Sequence, residues 1–304
     1  MDEAVYRHQR VDRSRLGVLN ARSDAQGLGR AAAHGGALLA TAAILGRSIG
    51  TWWIVPATVL HGAVLVFLFA PLHETIHRTA FRTRWLNDAV AWVCGALLVL
   101  PPKYFRYFHF AHHRYTQDPV NDPELAVPKP ASPGEWLIHV SGWRYWRAQL
   151  TGTVAHALGR TPEQFLTAGN RIQVIAEARL LLAAYAAVGI AAVALGSWAP
   201  VTYWIVPALA GQPFLRIYLL AEHTGCPLVP DMVANSRTTL TNAVVRFFAW
   251  NMPYHAEHHA FPSVPFHALP ALHRELAPDL KVVAPGYIAV QRELLHNFRQ
   301  AAAT

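Results

Sequence analysis

Four long apolar segments run along the chain and alternate with polar, histidine-rich segments. Residues 31–46 and 51–72 are separated by a short polar stretch around Arg47, and residues 180–199, which carry no charge, lead into residues 200–215. A helix needs about 20 mostly apolar residues, each adding roughly 1.5 Å, to cross a membrane. The pattern therefore predicts four transmembrane helices arranged as two hairpins.

A fifth apolar segment, residues 85–101, is shorter than the others. After Asn87 and Asp88 only about a dozen residues are continuously apolar, which suits an interfacial or re-entrant helix better than a span. Histidine-rich motifs lie on both sides of this segment. If they form one metal site, a single crossing would place them on opposite faces of the membrane, so we expect no crossing here.

The region between residues 126 and 179 is long and of mixed polarity. It contains Trp136, Trp143 and Trp146 among basic residues, which is typical of amphipathic helices lying in the headgroup layer. The motif Thr161-Pro-Glu predicts a helix start, with threonine as N-cap and proline at the first helical position. The fold expected from these patterns is an all-α integral membrane protein with four spans and additional interfacial helices.

The composition supports a membrane protein. Hydrophobic residues make up 53% of the 304 residues and charged residues 14%, whereas about a quarter are charged in typical soluble domains. The net charge of +8 favours contact with an anionic lipid surface or an acidic protein. The arginines are spread over loops that flank apolar segments, so binding to nucleic acid is not indicated.

The first 30 residues are polar and do not resemble a secretory signal. Their arginines are Arg7, Arg10, Arg13, Arg15, Arg22 and Arg30, whereas the two hairpin turns offer only Arg47. Cytoplasmic loops carry an excess of Lys and Arg. We therefore interpret residues 1–30 as a cytoplasmic tail and residues 31–304 as one membrane domain, with its active site on the cytoplasmic side of a bacterial plasma membrane.

Eight of the 17 histidines fall into three short clusters. They are His73 and His77 in an HxxxH motif, His109, His112 and His113 in an HxxHH motif, and His255, His258 and His259 in a second HxxHH motif. Residues i, i+3 and i+4 of a helix share one face, so each cluster directs its imidazoles toward one point. An HxxHH motif is expected by chance only roughly 0.05 times in such a chain, so two of them indicate a function.

Eight imidazoles exceed the four positions of one tetrahedral zinc ion but suit two metal ions, and imidazole binds iron, zinc or copper. The motif His73-Glu74-x-x-His77 also matches the HExxH motif of zinc metalloproteases, in which the glutamate is the base. A membrane zinc protease therefore stays open as an alternative, although it leaves both HxxHH motifs unexplained.

His61, about 18 Å from His73 along a straight helix, is interpreted as an interior polar residue rather than a ligand.

Carboxylates usually orient metal-ligating imidazoles through hydrogen bonds. The nearest candidates in the sequence are Glu74, Asp118, Asp122 and Glu257. A role as loop cap or surface charge is equally compatible with the sequence for each of them.

The three clusters, in this order, resemble the three histidine boxes of the membrane fatty acid desaturase family. The likeness extends to the flanking residues, with Arg106-Tyr-Phe before His109 and Asn251-Met-Pro before His255. It covers approximately residues 31–275. His255 stands where front-end members of the family have glutamine, and the His-Pro-Gly-Gly haem motif of several fused members is absent from this sequence.

The resemblance implies two iron ions held by the box histidines, dioxygen as co-substrate and oxidation of an unactivated C–H bond in a lipid-like chain. Fatty acyl desaturation is the first expectation, and a hydroxylase or ketolase acting on an acyl lipid, a carotenoid or another apolar molecule is the alternative. The resemblance also implies a lone extra histidine ligand shortly after the fourth span, which we assign to His223. An interfacial histidine that is hydrogen-bonded to Glu222 or to a backbone carbonyl is the alternative. Because Cys94 and Cys226 form no CxxC pair and no haem motif occurs, we expect electrons from a separate ferredoxin-like or cytochrome-type protein.

Overall fold

The computed structural model describes residues 11–301, and helices dominate it. The first part contains α1 (Arg13–Leu19), α2 (Asp24–Ser48), α3 (Ile54–Val66), α4 (Phe69–Ile76), α5 (Arg84–Leu98) and α6 (Pro102–Tyr115). A short 3-10 helix (Pro123–Ala126), α7 (Pro133–Val140), α8 (Trp143–Ala157) and α9 (Ala168–Ala194) follow. The predicted all-α class is confirmed.

The last part of the chain begins with a π-helix (Val201–Ile205) that continues into α10 (Val206–His223). It then contains α11 (Met232–Asn235), α12 (Ala243–Phe248), α13 (His255–Ala260), α14 (Leu269–Leu276) and α15 (Tyr287–Ala301). Two strands of two residues each, β1 (Thr238–Thr239) and β2 (Val283–Ala284), pair in parallel, with Thr238 opposite Val283. This small ladder holds the segment before α12 against the segment before α15.

Four helical segments are long and apolar enough to cross a membrane, which confirms the predicted number of spans. They are Asp24–Ser48, Ile54–Ile76, Ala168–Ala194 and Val201–His223. Over an apolar stretch of 18 residues in each span, 50% of the second and 44% of the fourth are buried inside the protein, against 17% of the first and 22% of the third. The second and fourth spans therefore form the centre of the bundle, and the other two present most of their apolar side chains to lipid.

The two central spans pack closely at a pair of glycines. A Cβ atom added to Gly62 on α3 would lie 2.2 Å from the carbonyl oxygen of Pro207, and one added to Gly211 on α10 would lie 2.2 Å from the carbonyl oxygen of Gly62. Both contacts are with backbone, which cannot swing aside. Glycine is required at these positions because the two backbones touch, as small residues allow in membrane bundles.

The third span differs from the prediction at both ends, because the helix covers Ala168–Ala194 and the apolar segment predicted to cross the membrane was 180–199. It begins at Ala168, where the hydroxyl of Thr167 accepts from the backbone N–H of Asn170, so the predicted helix start at Thr161 is wrong. The guanidinium of Arg171 instead donates to the Thr161 hydroxyl at 3.1 Å and to the carbonyl of Glu163 at 3.0 Å. These bonds hold the segment in an irregular conformation that the local sequence does not reveal.

Helices α5 and α6 form a bent pair, with 97° between their axes. At the bend Val99 adopts a left-handed conformation with φ of 55°, and the N–H of Leu100 donates to the carbonyl of Gly95 at 2.8 Å. Pro102 then starts α6 at a position where its missing N–H costs nothing. Helix α6 therefore leaves the bend roughly perpendicular to α5, an arrangement that suits either a re-entrant or a broken span, and the absence of a crossing here stays a prediction.

The segments outside the spans agree with the expected pattern in part. Helices α7 and α8 occupy the region predicted to be interfacial, and exposed apolar residues such as Trp143 and Leu150 suit that location. The first span starts at Asp24, seven residues before the expected boundary, and Arg15 in α1 forms an ion pair with Glu275 at 2.6 Å. Residues 1–10 of the predicted tail lie outside the described residues, and the division into tail and domain stays a prediction.

Candidate metal centre

Nine histidines from four parts of the chain converge on one side of the bundle. His73 lies in α4 and His77 caps its end, while His109, His112 and His113 lie on α6, His223 ends α10, and His255, His258 and His259 lie on α13. The second and fourth spans thus end at the same place. The three predicted clusters and the extra histidine meet, although up to 186 residues, from His73 to His259, separate them along the chain.

Five of these histidines form the first group. The ligating atoms of His73, His77, His109, His113 and His258 all lie within 4.8 Å of one another. The ring of His73 lies 4.4 Å from that of His109 and 4.7 Å from that of His258, centroid to centroid. Box residues from α4, α6 and α13 therefore contribute to one cluster.

The second group is centred on His223. The ligating atoms of His112, His223 and His259 also lie within 4.8 Å of one another. The Nε2 atom of His223 lies 3.1 Å from Nε2 of His112 and 2.9 Å from Nε2 of His255, so His255 belongs to the same group. In the first group Nε2 of His113 lies 3.0 Å from Nε2 of His109.

These nitrogen separations suit ligands of a shared ion. Two nitrogens that are each about 2.1 Å from one metal ion and at right angles to each other are about 3.0 Å apart. Two neutral imidazoles can also share a hydrogen bond at this distance, but Nε2 of His223 meets two partners at once. A shared cation accounts for both contacts.

The tautomers of the second group are fixed by partners on the far side of each ring. The Nδ1–H of His112 donates to Asp122 at 2.9 Å, and that of His223 donates to the carbonyl oxygen of Asn235 at 3.2 Å. The Nδ1–H of His259 donates to the hydroxyl of Thr116 at 3.1 Å, because that hydroxyl itself donates to the carbonyl of His112. In their neutral form all three rings therefore present an unprotonated Nε2 to the shared centre, as metal-ligating histidines usually do.

His255 has a carboxylate beside it. Its Nδ1 lies 3.4 Å from Oε1 of Glu222, the residue that precedes His223 at the end of α10. On the other side of the group, Oε2 of Glu124 lies 3.4 Å from Nε2 of His112, and Lys129 forms an ion pair with Glu124. Two carboxylates thus border the second group, which suits a site that holds positive charge.

The donor set fits metal ions. Several buried imidazole nitrogens have no hydrogen-bond partner within residues 11–301, and both nitrogens of His73 and of His258 are among them. Burial and the neighbouring imidazoles hold the pKa values of His258 and His259 well below the usual range. Both rings are therefore neutral, which is the form that binds metal. Burying a neutral imidazole whose nitrogens have no partner is unfavourable unless a metal ion binds one of those nitrogens.

The four carboxylates proposed from the sequence occupy different environments. Asp122 bonds directly to a box histidine, as described above. Glu74 is fully buried and accepts from the backbone N–H of Phe266 at 3.0 Å, and Glu257 pairs with His273 and accepts from the hydroxyl of Thr238 at 2.6 Å. Both carboxylates therefore tie a box helix to its neighbours.

Asp118 lies in the loop after α6. Its carboxylate accepts from the backbone N–H of Val120 at 2.9 Å and from the amide of Asn121 at 2.9 Å, which are loop-capping contacts. Its role as a partner of a ligating imidazole stays a prediction without a supporting contact among the described residues.

His61 lies within the bundle, where its Nε2–H donates to the carbonyl of Tyr203 at 3.0 Å, away from the histidine groups.

The polar partners Thr116, Asn235, Glu222 and Glu124 were not identified as site residues from the sequence. Thr116 could have been found, because it lies four residues after His112 and shares its helix face. Asn235 and Glu124 contact the site through chain folding alone. No local motif marks them.

A family model described as fatty acid desaturase matches residues 50–291 of this chain. This match covers most of the sequence and contains all nine converging histidines. The chain belongs to the fatty acid desaturase family. The HExxH motif is accordingly the first histidine box of a desaturase, and the zinc protease alternative loses its basis.

Curated relatives agree with the family assignment. The chain is 26% identical over 223 residues to an sn-1 oleoyl-lipid 12-desaturase of Picosynechococcus sp., a match that covers 69% of this chain and 62% of that protein. It is 26% identical over 251 residues to a Delta(12)-acyl-lipid-desaturase of Punica granatum, with 70% and 62% covered. It is 28% identical over 268 residues to the dihydrorhizobitoxine desaturase of Bradyrhizobium elkanii, with 79% and 71% covered.

Proposed function

We propose that this protein oxidises an unactivated C–H position in a lipid-like chain with dioxygen, at a centre of two histidine-bound iron ions, and that the reaction is fatty acyl desaturation. The observation that supports it best is the division of nine converging histidines into two groups. Two groups suit two ions. A single zinc ion would leave at least five imidazoles unused.

The grouping suggests which residues hold each ion. His73, His77, His109, His113 and His258 would hold the first, and His112, His223, His255 and His259 would hold the second. Iron ions bound there would supply the oxidising power, drawn from dioxygen and external electrons, that breaking such a bond requires. Asp122, Asn235 and Thr116 keep three of the rings in the ligating tautomer.

A cavity beside the histidines provides a place for the substrate. Its volume is about 360 Å³, and His73, His109, His112 and His255 form part of its wall. Apolar side chains line the same space; they are Phe69, Leu100, Phe105, Phe108, Leu219 and Leu220. Their part in the reaction is to hold substrate carbons against the metal centre and to keep bulk water away from it.

Desaturation is favoured over hydroxylation or ketolation by the names of the relatives. Those cited above are named as desaturases, although one is named for dihydrorhizobitoxine and the others for acyl lipids. These relatives are therefore named for the same reaction, although the substrates in their names differ. A hydroxylase or ketolase remains the alternative that product analysis separates from it.

Mass spectrometry of lipids from cells that express the protein tests this proposal. We expect a product two mass units lighter than its precursor, and no such product with His112→Ala. His296→Ala, in which an exposed histidine of α15 is lost, is the matched control and should behave as wild type. A product 16 mass units heavier would indicate hydroxylation instead of desaturation. An unchanged lipid profile with wild-type protein would contradict both reactions.

We also propose that the metal centre lies on the cytoplasmic side of a bacterial plasma membrane and receives electrons from a separate protein. The second and fourth spans end together at the histidines, so one side of the membrane serves the whole centre. The arginine-rich start of the chain supports a cytoplasmic location. A basic protein of this kind favours an acidic, ferredoxin-like or cytochrome-type donor.

A further inference from the structure

The lining of the cavity beside the histidines includes charged and polar side chains as well as apolar ones. Lys129, His139, Arg144 and Arg216 line it, together with Glu124 and Glu222. A hydrocarbon alone needs none of these groups. Their presence in a space of about 360 Å³, which is near the lower limit for small-molecule pockets, suggests that part of the substrate is charged.

Arg216 is the unusual member of this set. It lies on α10, and its Nε atom is buried without a hydrogen-bond partner within residues 11–301. The guanidinium lies over the ring of Tyr145, 4.4 Å from the ring centre, which orients it but supplies no negative charge. A buried guanidinium N–H without an acceptor is unfavourable, so an anionic acceptor from outside would complete this site.

Glu222 and Glu124 interact electrostatically with Arg216, but within residues 11–301 neither forms an ion pair or a hydrogen bond with its guanidinium. Glu124 already pairs with Lys129, and Glu222 lies beside His255 in the metal centre. Burial, with the positive charge of Arg216, lowers the pKa of His139 to about 4, so this ring is neutral. Arg144, an exposed residue of α8, adds a second positive charge to the cavity lining, and both arginines lie close enough to His139 to act on its pKa.

We propose that Arg216 and Arg144 bind an anionic group of the substrate, a carboxylate or a phosphate, inside the cavity beside the metal centre. Guanidinium groups match both anions through paired N–H donors. The substrate is then an amphiphile with its anionic group held by protein, rather than a neutral hydrocarbon such as a carotenoid. This inference deepens the proposed function and rests on it for the identification of the cavity as the substrate site.

Binding of three probes with the same eight-carbon chain tests the proposal. Octanoate, octyl phosphate and octanol are titrated into the full-length, iron-loaded protein in nanodiscs of a zwitterionic phospholipid, with empty nanodiscs as the blank. We expect one or both anions to bind at least about tenfold more tightly than octanol, as a charge-assisted hydrogen bond implies. Preference for octanoate indicates a free acid, and preference for octyl phosphate indicates a phosphate headgroup.

Variants connect this preference to the residues. Arg216→Gln should bring the affinity for the anions down to that for octanol, and Arg216→Lys should restore part of the difference. Arg144→Gln, which alters an exposed residue, should weaken anion binding even if Arg216→Gln does not fold. Arg147→Gln, on the exposed surface of the same helix, is the matched control and should leave all three affinities unchanged.

Equal binding of the anions and octanol to wild-type protein would overturn the proposal. So would an anion preference that survives both Arg216→Gln and Arg144→Gln. Iron content and lipid products are measured separately on the same wild-type protein. A protein that binds two irons and desaturates lipid, yet shows no anion preference, refutes the anion site alone; one that binds no iron refutes the proposed function.

Discussion

Asp122 accepts a hydrogen bond from Nδ1 of His112 at 2.9 Å, and both side chains are buried. The same carboxylate accepts from the backbone N–H groups of Gln117 and Glu124, each at 2.9 Å. The loop after α6 is thereby folded around the carboxylate, which directs Nε2 of His112 toward His223. A single acidic residue links the conformation of a loop to the orientation of a proposed metal ligand.

Asp122→Asn should lower iron affinity or turnover about 10- to 100-fold, the usual effect of removing the partner of a ligating histidine. The amide keeps the shape of the side chain but loses the charge that stabilises the Nδ1–H tautomer. Iron content and turnover are measured with Asp118→Asn as control, since that loop-capping residue is of the same type. Equal losses in the two variants would show that loop folding, rather than imidazole orientation, is responsible.

Gly62→Val should prevent close packing of α3 and α10. The added Cβ would meet the backbone of Pro207, so the helices must separate, at a cost of about 1–3 kcal/mol or more. We expect a lower melting temperature and a lower yield of monodisperse protein. Gly189→Val is the control, because nothing lies within 4 Å of a Cβ built at that lipid-facing position of α9. Wild-type stability of Gly62→Val would contradict the observed helix contact.

Cysteine labelling tests the topology. In a protein with Cys94 and Cys226 replaced, Val120→Cys places a thiol in the exposed loop after α6 and Ser197→Cys places one in the turn between the third and fourth spans. A membrane-impermeant maleimide added to intact cells should label Ser197→Cys and spare Val120→Cys until the cells are opened. The reverse pattern would place the metal centre on the outer face of the membrane.

Sustained turnover should require an added electron donor. The sequence offers no CxxC pair or haem motif, and the two cysteines are buried, far from the arrangement of an iron–sulfur site. Product formed by the purified protein with dioxygen alone should not exceed one equivalent per chain, whereas a reduced ferredoxin should support many. Many turnovers with dioxygen alone would mean that electrons reach the centre by another route.

Much of the fold and of the site could be predicted because both depend on local patterns. Apolar length predicted the four spans, and spacing on a helix predicted that His109, His112 and His113 lie close together. The prediction that each cluster points toward one centre was wrong, because His112 joins His223 and His259 whereas His109 and His113 join His73. The start of the third span was missed because Arg171 holds the preceding segment through contacts that are not local. The partners Asn235 and Glu124 were missed for the same reason, since they reach the histidines only after the chain has folded.

His223 had no motif of its own, yet its Nε2 lies within 3.1 Å of two box histidines. Its place at the end of the fourth span, together with the family resemblance, was the available signal. The role of His223 as a ninth ligand stays a prediction. Its role as a ligand is tested most directly by metal analysis.

The iron content of the purified protein, measured by mass spectrometry of the metal and expressed per chain, tests the central claim. We expect two irons in the wild-type protein and in the control His296→Ala. We expect His223→Ala, folded and inserted as judged by its melting curve and gel filtration, to lose iron from the second group and to lose activity with it. Two irons per chain and normal product formation in His223→Ala would contradict the claim, as would a single zinc ion in the wild-type protein.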